Sequence, residues 1–445
     1  MPLSLDKFSR LAALKPVRQT ERTAEQANEP IQGDEIARLL GALPQKTRFG
    51  EHLAVRNWYS TPEFAEPAGQ ALDLLTRNKD EALSRRTRAA LDNPDKWLFL
   101  DTETTGLAGG TGTYAFLVGI GWWDAGGFQV EQFFMRDFAD EHSVLSELAE
   151  RVAERPVLVT FNGKTFDWPL LESRFTMTRK IAVPRLAAHL DLLHPARALW
   201  KLRLGSVRLI ELERQVLDAE RLGWNRTDDV PSSFIPQFYF DYLRGGSGRP
   251  LAGVVRHNQM DLRGLAALFG KINTMLADEE LAETDGRDLF GLSRFLHRRG
   301  DAPRAAKMCT KALEAGLPAE HRHQASRELA LMARRRGDHL LAAELWRSLL
   351  QGSQSAIEAC EQLAIHHERR EKDFRQAVEY TQLGLSKLRS GGIRLRDPYA
   401  EARTVRQEKS LLRRLARLRQ RLSSESAPPL AQQKRSTAAI AGRLL

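Results

Sequence analysis

The chain reads as an α/β domain built on a mixed sheet with flanking helices, followed by an all-α helical-repeat region. Three observations predict this. Strand-type apolar runs alternate with helical patterns from Trp97 to Met275, a helix–turn–helix pattern recurs with a shift of 37 residues beyond Arg287, and the excess of basic residues is confined to that second part. At 445 residues the chain exceeds one compact domain of roughly 100–200 residues, so two or three units are expected.

Composition narrows the class. With 42% hydrophobic and 28% charged residues the chain is an ordinary water-soluble one, which excludes a disordered, collagen-like or membrane-embedded protein. Its two cysteines, Cys309 and Cys360, cannot build a disulfide framework, so a reducing cytoplasm is the expected setting. The first residues interrupt their apolar positions with charge, unlike a secretory signal. The uncharged stretch Thr104 to Trp123 is rich in Gly and Thr and flanked by acids, which predicts a loop entering a buried strand rather than a membrane helix.

Residues 1–95 hold two amphipathic candidates, Glu35 to Leu43 and Gly69 to Leu91, and a candidate strand at His52 to Tyr59, with no identifiable chemistry. A domain over 96–276 starts at the run W-L-F-L-D-T-E from Trp97. Tyr114 to Trp123 and Phe128 to Met135 predict two further strands around the turn Asp124-Ala-Gly-Gly. Such tight connections require antiparallel pairing. A helix over Glu141 to Arg155, with Leu145, Leu148 and Val152 on one face, then leads to the strand Pro156-Val-Leu-Val-Thr-Phe; that crossover makes the sheet mixed. Helices are expected at Phe166 to Phe175, Ser206 to Leu217, Pro236 to Leu243 and Leu251 to Met275.

After a polar link at Ala277 to Arg287, F-L-H-R-R-G-D-A-P-R-A-A from Phe295 matches L-M-A-R-R-R-G-D-H-L-L-A-A from Leu331, and a weaker third copy carries Lys372-Asp373 and Ala377. A helix, a Gly-Asp turn and a second helix opening on small residues resembles hairpins of the tetratricopeptide type, predicted over 285–390. The last part, 391–445, holds a basic amphipathic helix, Glu401 to Leu422, of a kind that binds nucleic acid, a membrane surface or a partner but that reads better as the capping helix of the array, and then a tail of disordered composition. From Asp285 onward 32 Lys and Arg face 18 Asp and Glu, whereas the first 284 residues hold 35 against 39. This surplus suits a polyanionic partner, most simply nucleic acid, and equally suits a solvated helical surface.

The acidic residues carry the chemistry. Asp101 and Glu103, two apart on a strand, point to one face, where paired carboxylates resist burial unless a cation neutralises them. Asp167 follows in F-N-G-K-T-F-D, in the first turn of a helix, where it also suits the helix dipole. His257 and Asp261, four apart in R-H-N-Q-M-D-L, share a helical face.

The ordered set D-x-E, N-x-x-x-F-D and H-x-x-x-D resembles the DEDD exonucleases of the ribonuclease-H-like superfamily. D-T-E-T-T-G-L is close to the first motif of the proofreading-subunit branch, and F-N-G-K-T-F-D is similar to the second motif of family B polymerase exonuclease domains. The third motif departs from both: one subgroup has His five before the Asp and the other Tyr four before it, whereas His257 here takes the Tyr place. Joined to C-terminal repeats, the arrangement looks like the predicted exonucleases termed YprB-like ribonuclease-H-like proteins. The motifs span Trp97 to about Met275.

The resemblance implies a ribonuclease-H-like fold and two-metal hydrolysis of phosphodiesters, with magnesium or manganese held by Asp101, Glu103, Asp167 and Asp261 and with His257 acting on the attacking water. The expected activity is that of a 3′-to-5′ exonuclease on single-stranded DNA or RNA, with the repeats recruiting nucleic acid or a protein. The rival is a scaffold that binds nucleic acid without cutting; an endonuclease is disfavoured by D-x-E on one strand. Three other features carry less. The glycine-rich Gly106 to Thr113 lacks the Lys-Ser/Thr of a P-loop, His189, Asp191 and His194 read as structural rather than metal-binding, and Trp122, Trp123 and Trp168 read as core rather than base-stacking residues.

Overall fold

Strands form where the apolar runs are. The computed structural model describes residues 32–59, 75, 85–106, 112–220, 226, 228–278, 280–281, 284–351, 355–390 and 398–425. Its strands are β1 (Leu43–Thr47), β2 (Gly50–Tyr59), β3 (Trp97–Thr104), β4 (Ala115–Asp124), β5 (Gly127–Phe134), β6 (Val157–Thr160) and β7 (Ala188–Asp191). They form one mixed sheet in the order β1-β2-β5-β4-β3-β6-β7. The β3-β4-β5 meander is antiparallel, and β6 pairs parallel to β3 after a helical crossover, as the short and long connections require.

The sheet corrects the boundary read at residue 96. β2 pairs antiparallel with β5 from Leu53↔Phe134 to Tyr59↔Phe128, so the sheet draws two strands from the region set apart as 1–95. β1 reads L-P-Q-K-T and lacks an apolar strand pattern; its pairing with β2 alone makes it a strand. β7 is the other strand not predicted, four residues long and joined only at the sheet edge.

Helices in the first part are α1 (Gln32–Leu40), α2 (Arg85–Leu91), α3 (Glu141–Glu154), α4 (Asp167–Thr178), α5 (Leu193–Leu204), α6 (Leu209–Gln215), α7 (Ile235–Leu243) and α8 (Arg249–Ala277). Alternation along β3 divides the core. Trp97 and Phe99 face a cluster with Trp123, Phe128 and Phe269 of α8, whereas Leu98 and Leu100 face a second one with Leu145 and Leu148 of α3 and Leu171 and Phe175 of α4. Ring centroids of Phe99 lie 5.0 Å from Trp123 and 5.4 Å from Phe128, both edge-on, pairs worth about 0.5–1.5 kcal/mol each beyond area burial. The helix expected at Ser206 to Leu217 is the shorter α6, and α5, where basic residues interrupt the apolar pattern, was not predicted. Most of the Gly69 to Leu91 candidate, most of the glycine-rich stretch after Gly106 and the tail beyond Glu425 lie outside the described residues.

The second part is a series of helical hairpins: α9 (Gly286–Arg299) with α10 (Ala302–Glu314), α11 (Ala319–Arg336) with α12 (His339–Ser348), and α13 (Ala356–His366) with α14 (Phe374–Ser390), followed by α15 (Pro398–Glu425). Each turn is built alike. A left-handed residue, Gly300 (φ 89°), Gly337 (φ 87°) or Lys372 (φ 60°), ends the first helix, and Asp301, Asp338 or Asp373 accepts the N–H of Arg304, Leu341 or Gln376 to cap the second. The third copy extends its first helix by a π turn, His367–Glu371. α15 turns Leu411 and Leu415 onto Leu385 of α14, and its Arg414 and Arg417 hold the buried Glu368 at 2.7 and 2.9 Å.

The polar link does not detach this region. α9 packs on α5 so closely that a Cβ on Gly291 would lie 2.5 Å from the carbonyl oxygens of Ala198 and Leu199, and Arg203 pairs with Asp288 at 2.8 Å. Phe290, Leu292 and Phe295 therefore share one core cluster with Trp97 and Phe269. Both cysteines are free and buried, and among the described residues no helix is long and apolar enough to cross a membrane.

Candidate active site

Asp101 and Glu103 extend the β3 face that carries Trp97 and Phe99, and the register shifts between Glu103 and Thr104, which pairs with Ala115. Asp101 lies opposite Gly119 of β4. That glycine admits α8: a Cβ there would stand 2.0 Å from the side-chain oxygen of Asn258 and 2.9 Å from Leu262. Asn258, fully buried, donates to Asp101 Oδ2 at 2.8 Å and accepts from Gln132 at 2.8 Å, which locks the helix to the strand. This seating brings His257 and Asp261, one turn apart on α8, onto the end of β3.

Asp167 arrives from the other side. It opens α4 and accepts the hydroxyl of Thr102, the residue between Asp101 and Glu103, at 2.6 Å. The loop before it is tied down by Asp191, which accepts the backbone N–H groups of Asn162 and Lys164 at 2.8 and 3.2 Å, while Asn162 takes a left-handed φ of 68°.

Ligand atoms of Glu103, His257 and Asp261 lie within 4.8 Å of one another; among the described residues this is the one such group of His, Cys or carboxylate side chains. Asp101 and Asp167 stand outside that tight group but near enough for their charges to act on it. His189, Asp191 and His194 line one cavity but are not such a group: His189 bonds Thr160 at 2.9 Å, Asp191 serves the loop, and His194 is exposed. Trp123 and Trp168 are buried, and Arg155 covers Trp122 at 5.0 Å.

Three residues not singled out in the sequence complete the site. Asp229 accepts from His257 Nδ1 at 2.8 Å, which leaves Nε2 facing Asp261 at 3.5 Å and Glu103 at 3.9 Å. Arg226 pairs with Asp229 at 2.9 Å, Asp261 at 2.5 Å and Glu213 at 2.6 Å. The third is Asn258. Their sequence distances from Asp101 hide them, although a buried-type Asn inside R-H-N-Q-M-D was a visible anomaly on an apolar helix.

Burial and mutual repulsion dominate the electrostatics. Burial first, then the charges of Asp261, Asp167 and Glu103, hold the Asp101 carboxyl well above the usual carboxylate range. Burial pushes Glu103 up to about 8 against the opposing pull of His257, and it also raises Asp167 despite the Thr102 hydrogen bond. For His257, burial works downward but is outweighed by the Asp229 hydrogen bond and the charges of Asp261 and Glu103, which raise it to about 9.

Residues 98–273 match a family model described as RNase_H superfamily. These residues form an RNase H-superfamily domain. The RNase H-like domain thus covers β3 to β7 and most of α8, the elements that supply the acidic cluster. The chain is also 29% identical over 318 residues to the uncharacterized protein YprB of Bacillus subtilis (strain 168), covering 71% of this chain and 75% of that protein. A solved structure, the family B DNA polymerase of the hyperthermophilic archaeon Pyrobaculum calidifontis, is similar over 46% of this chain and 29% of its own, at 18% identity and a TM-score of 0.32. The chain therefore spans under a third of that polymerase.

Proposed function

We propose that the protein is a metal-dependent nuclease of the DEDD type, a 3′-to-5′ exonuclease acting on single-stranded ends. The observation that carries this reading is the group formed by Glu103, His257 and Asp261, with Asp101 two residues away on the same strand, Asp167 bonded to the intervening Thr102, and His257 held by Asp229. The donor set fits a divalent cation: among the described residues the half-buried Asp101 has a side-chain donor only in Asn258, and Asp167 only in Thr102, and neither carboxylate pairs with a basic side chain. Two magnesium or manganese ions held by these carboxylates would stabilise charge on the attacking and leaving oxygens of the phosphodiester.

The protein's own residues do the rest. Asp229 accepts a hydrogen bond from the Nδ1–H of His257, which aims Nε2 at the cluster; with the imidazole raised to about 9, Nε2 takes a proton from water only once it has given up its own. The water oxygen forms a bond to phosphorus as its proton passes to Nε2 of the neutral imidazole, the bond from phosphorus to the 3′ oxygen breaks, and that oxygen, left on the shortened strand, takes up a proton from solvent. Asn258 and Gln132 keep Asp101 from turning, and Thr102 does so for Asp167. The helical hairpins fit the tetratricopeptide type and would present nucleic acid or a protein to this site.

One contact favours a second reading. Arg226 on Asp261 is a cation already in place, and a scaffold that binds nucleic acid without cutting could use it instead of a metal. The deciding experiment is incubation of purified protein with 5′-labelled single-stranded DNA and RNA and manganese or magnesium, beside Asp101→Ala and a chelator. A ladder receding from the 3′ end, absent in both controls, is expected. Binding without cleavage in either metal would move the conclusion to the scaffold, and cleavage surviving Asp101→Ala would remove the metal site.

A further inference from the structure

We propose that the groove between α11, α12 and α13 is a second nucleic-acid site, one that grips the phosphodiester backbone of a strand away from the cutting site. The groove is a cavity of about 280 Å³ with Ala342, Ala343 and Trp346 among its lining and Arg334, Arg369 and Arg370 exposed at its rim. That volume is just below the range of ligand pockets, ~300–1,000 Å³, and suits a backbone unit rather than a folded partner. Among the described residues no carboxylate pairs with any of these three arginines, and Arg334 bonds only the amide oxygen of Gln362, at 2.5 Å. The nearby acid, Glu371, is already engaged by His366 at 2.9 Å and His367 at 2.7 Å. Among the described residues the buried indole N–H of Trp346 has no hydrogen-bond partner, an unspent donor in the lining.

The sequence repeats the feature. Each hairpin closes its first helix on an arginine pair, Arg298-Arg299, Arg335-Arg336 and Arg369-Arg370, and the π turn carries the third pair to the rim of the groove. Basic residues at helix C-termini also complement the helix dipole, which explains one such residue per helix. It does not explain exposed guanidiniums lining a groove without counter-charges in a region whose surplus is 14 positive, from 32 basic and 18 acidic residues. Guanidinium groups suit phosphate because their planar fork donates two parallel hydrogen bonds and their weak hydration makes desolvation easy. Nucleic acid, rather than an acidic protein segment, is the occupant because the nuclease reading of residues 98–273 supplies that polyanion; in this respect the inference rests on it.

The test measures binding of fluorescent oligo(dT) and oligo(rU) to the full chain in chelator, so that no cleavage occurs. The triple variant Arg334→Gln, Arg369→Gln, Arg370→Gln should bind roughly tenfold or more weakly, with a salt slope shallower by about 2, from ~0.7 per lost phosphate contact on a single strand. A purely structural role for these arginines would move the melting temperature and leave binding alone. The charge-reversed variant Arg369→Glu, Arg370→Glu, checked by circular dichroism, should exceed that loss. Parent-like binding in folded variants overturns the proposal, and so does a parent that binds neither oligonucleotide. Preferential, arginine-dependent capture of a poly-glutamate peptide overturns it in favour of an acidic protein segment. Arginine-dependent binding with no cleavage in any metal leaves the groove standing and removes the nuclease reading, so the two failures are distinguishable.

Discussion

The carboxylate site and the hairpin array both concentrate charge of one sign, yet they hold it in opposite ways. At the site the carboxylates are half-buried with few hydrogen-bond donors, and desolvation drives Asp101 and Glu103 toward the protonated form. In the array the groove arginines are exposed to solvent, and folding there rests on small residues, leucines and capped turns. Like charges in water cost little, whereas like charges under a helix cost stability and persist where chemistry requires them. A change at the site should therefore trade activity against stability, and a change in the array should touch stability alone or binding alone.

The sharpest break of that contrast is Asp101→Asn. Cleavage should fall by roughly a thousandfold, while the chelated protein becomes about 1–2 kcal/mol more stable because a buried, repelled carboxylate is gone. Single-turnover assays and thermal unfolding with and without manganese measure both, and metal should raise the melting temperature of the parent far more than that of the variant. Next comes Gly119→Ala. The added carbon collides with Asn258 and Leu262, so α8 must lift from β4, at a cost of about 2–3 kcal/mol in denaturant unfolding and with loss of activity. Parent-like stability would show that the sheet does not seat the helix as described.

Asp229→Asn should slow cleavage by about tenfold to a hundredfold with a smaller change in KM, since it frees the imidazole to adopt the wrong tautomer rather than removing a substrate contact. Equal activity would return Asp229 to a structural role. A control for buried charge lies at the opposite side of the sheet. His52, fully buried with Nδ1 on Ser143 at 2.9 Å, is pushed down by burial to about 4, so it folds neutral. The unfolded chain takes up its proton first, and stability present above pH ~6.5 should drain away as pH falls toward 4, by about 2–3 kcal/mol. His52→Leu should flatten that slope in urea unfolding between pH 7.5 and 4.5; an unchanged slope would place the acid sensitivity elsewhere. The smallest effect tests the array. Gly337→Ala forces a side chain into a left-handed turn and should cost about 1 kcal/mol, whereas Lys372→Gly relieves the same conformation in the third hairpin and should gain about 0.5–1 kcal/mol. Both are read by thermal unfolding, with nucleic-acid binding unchanged.

Much of this was legible without coordinates because it is local. W-L-F-L-D-T-E shows by alternation that Asp101 and Glu103 share a face with Trp97 and Phe99, and H-x-x-x-D puts His257 and Asp261 on one side of a helix. Gly300-Asp301 and Gly337-Asp338 announce a left-handed stop and a helix cap in two letters. β1, β7 and α5 were not legible, since their existence depends on a paired neighbour or a packed face and their own residues carry little pattern. The tryptophans near the motifs were ambiguous for a related reason: hydrophobicity says that a ring seeks burial but not which surface is left for it.

The sequence by itself determined which residue types stand at which position along each element, because side-chain direction in a strand or helix follows from backbone geometry over a few residues. It could not determine that Asp229 steadies His257, that Arg226 reaches Asp261 or that Asn258 holds Asp101, contacts spanning 28, 35 and 157 positions. Those were decided when α8 settled into the notch left by Gly119. Close packing allows that helix few places to sit, and its place fixes every distance at the site.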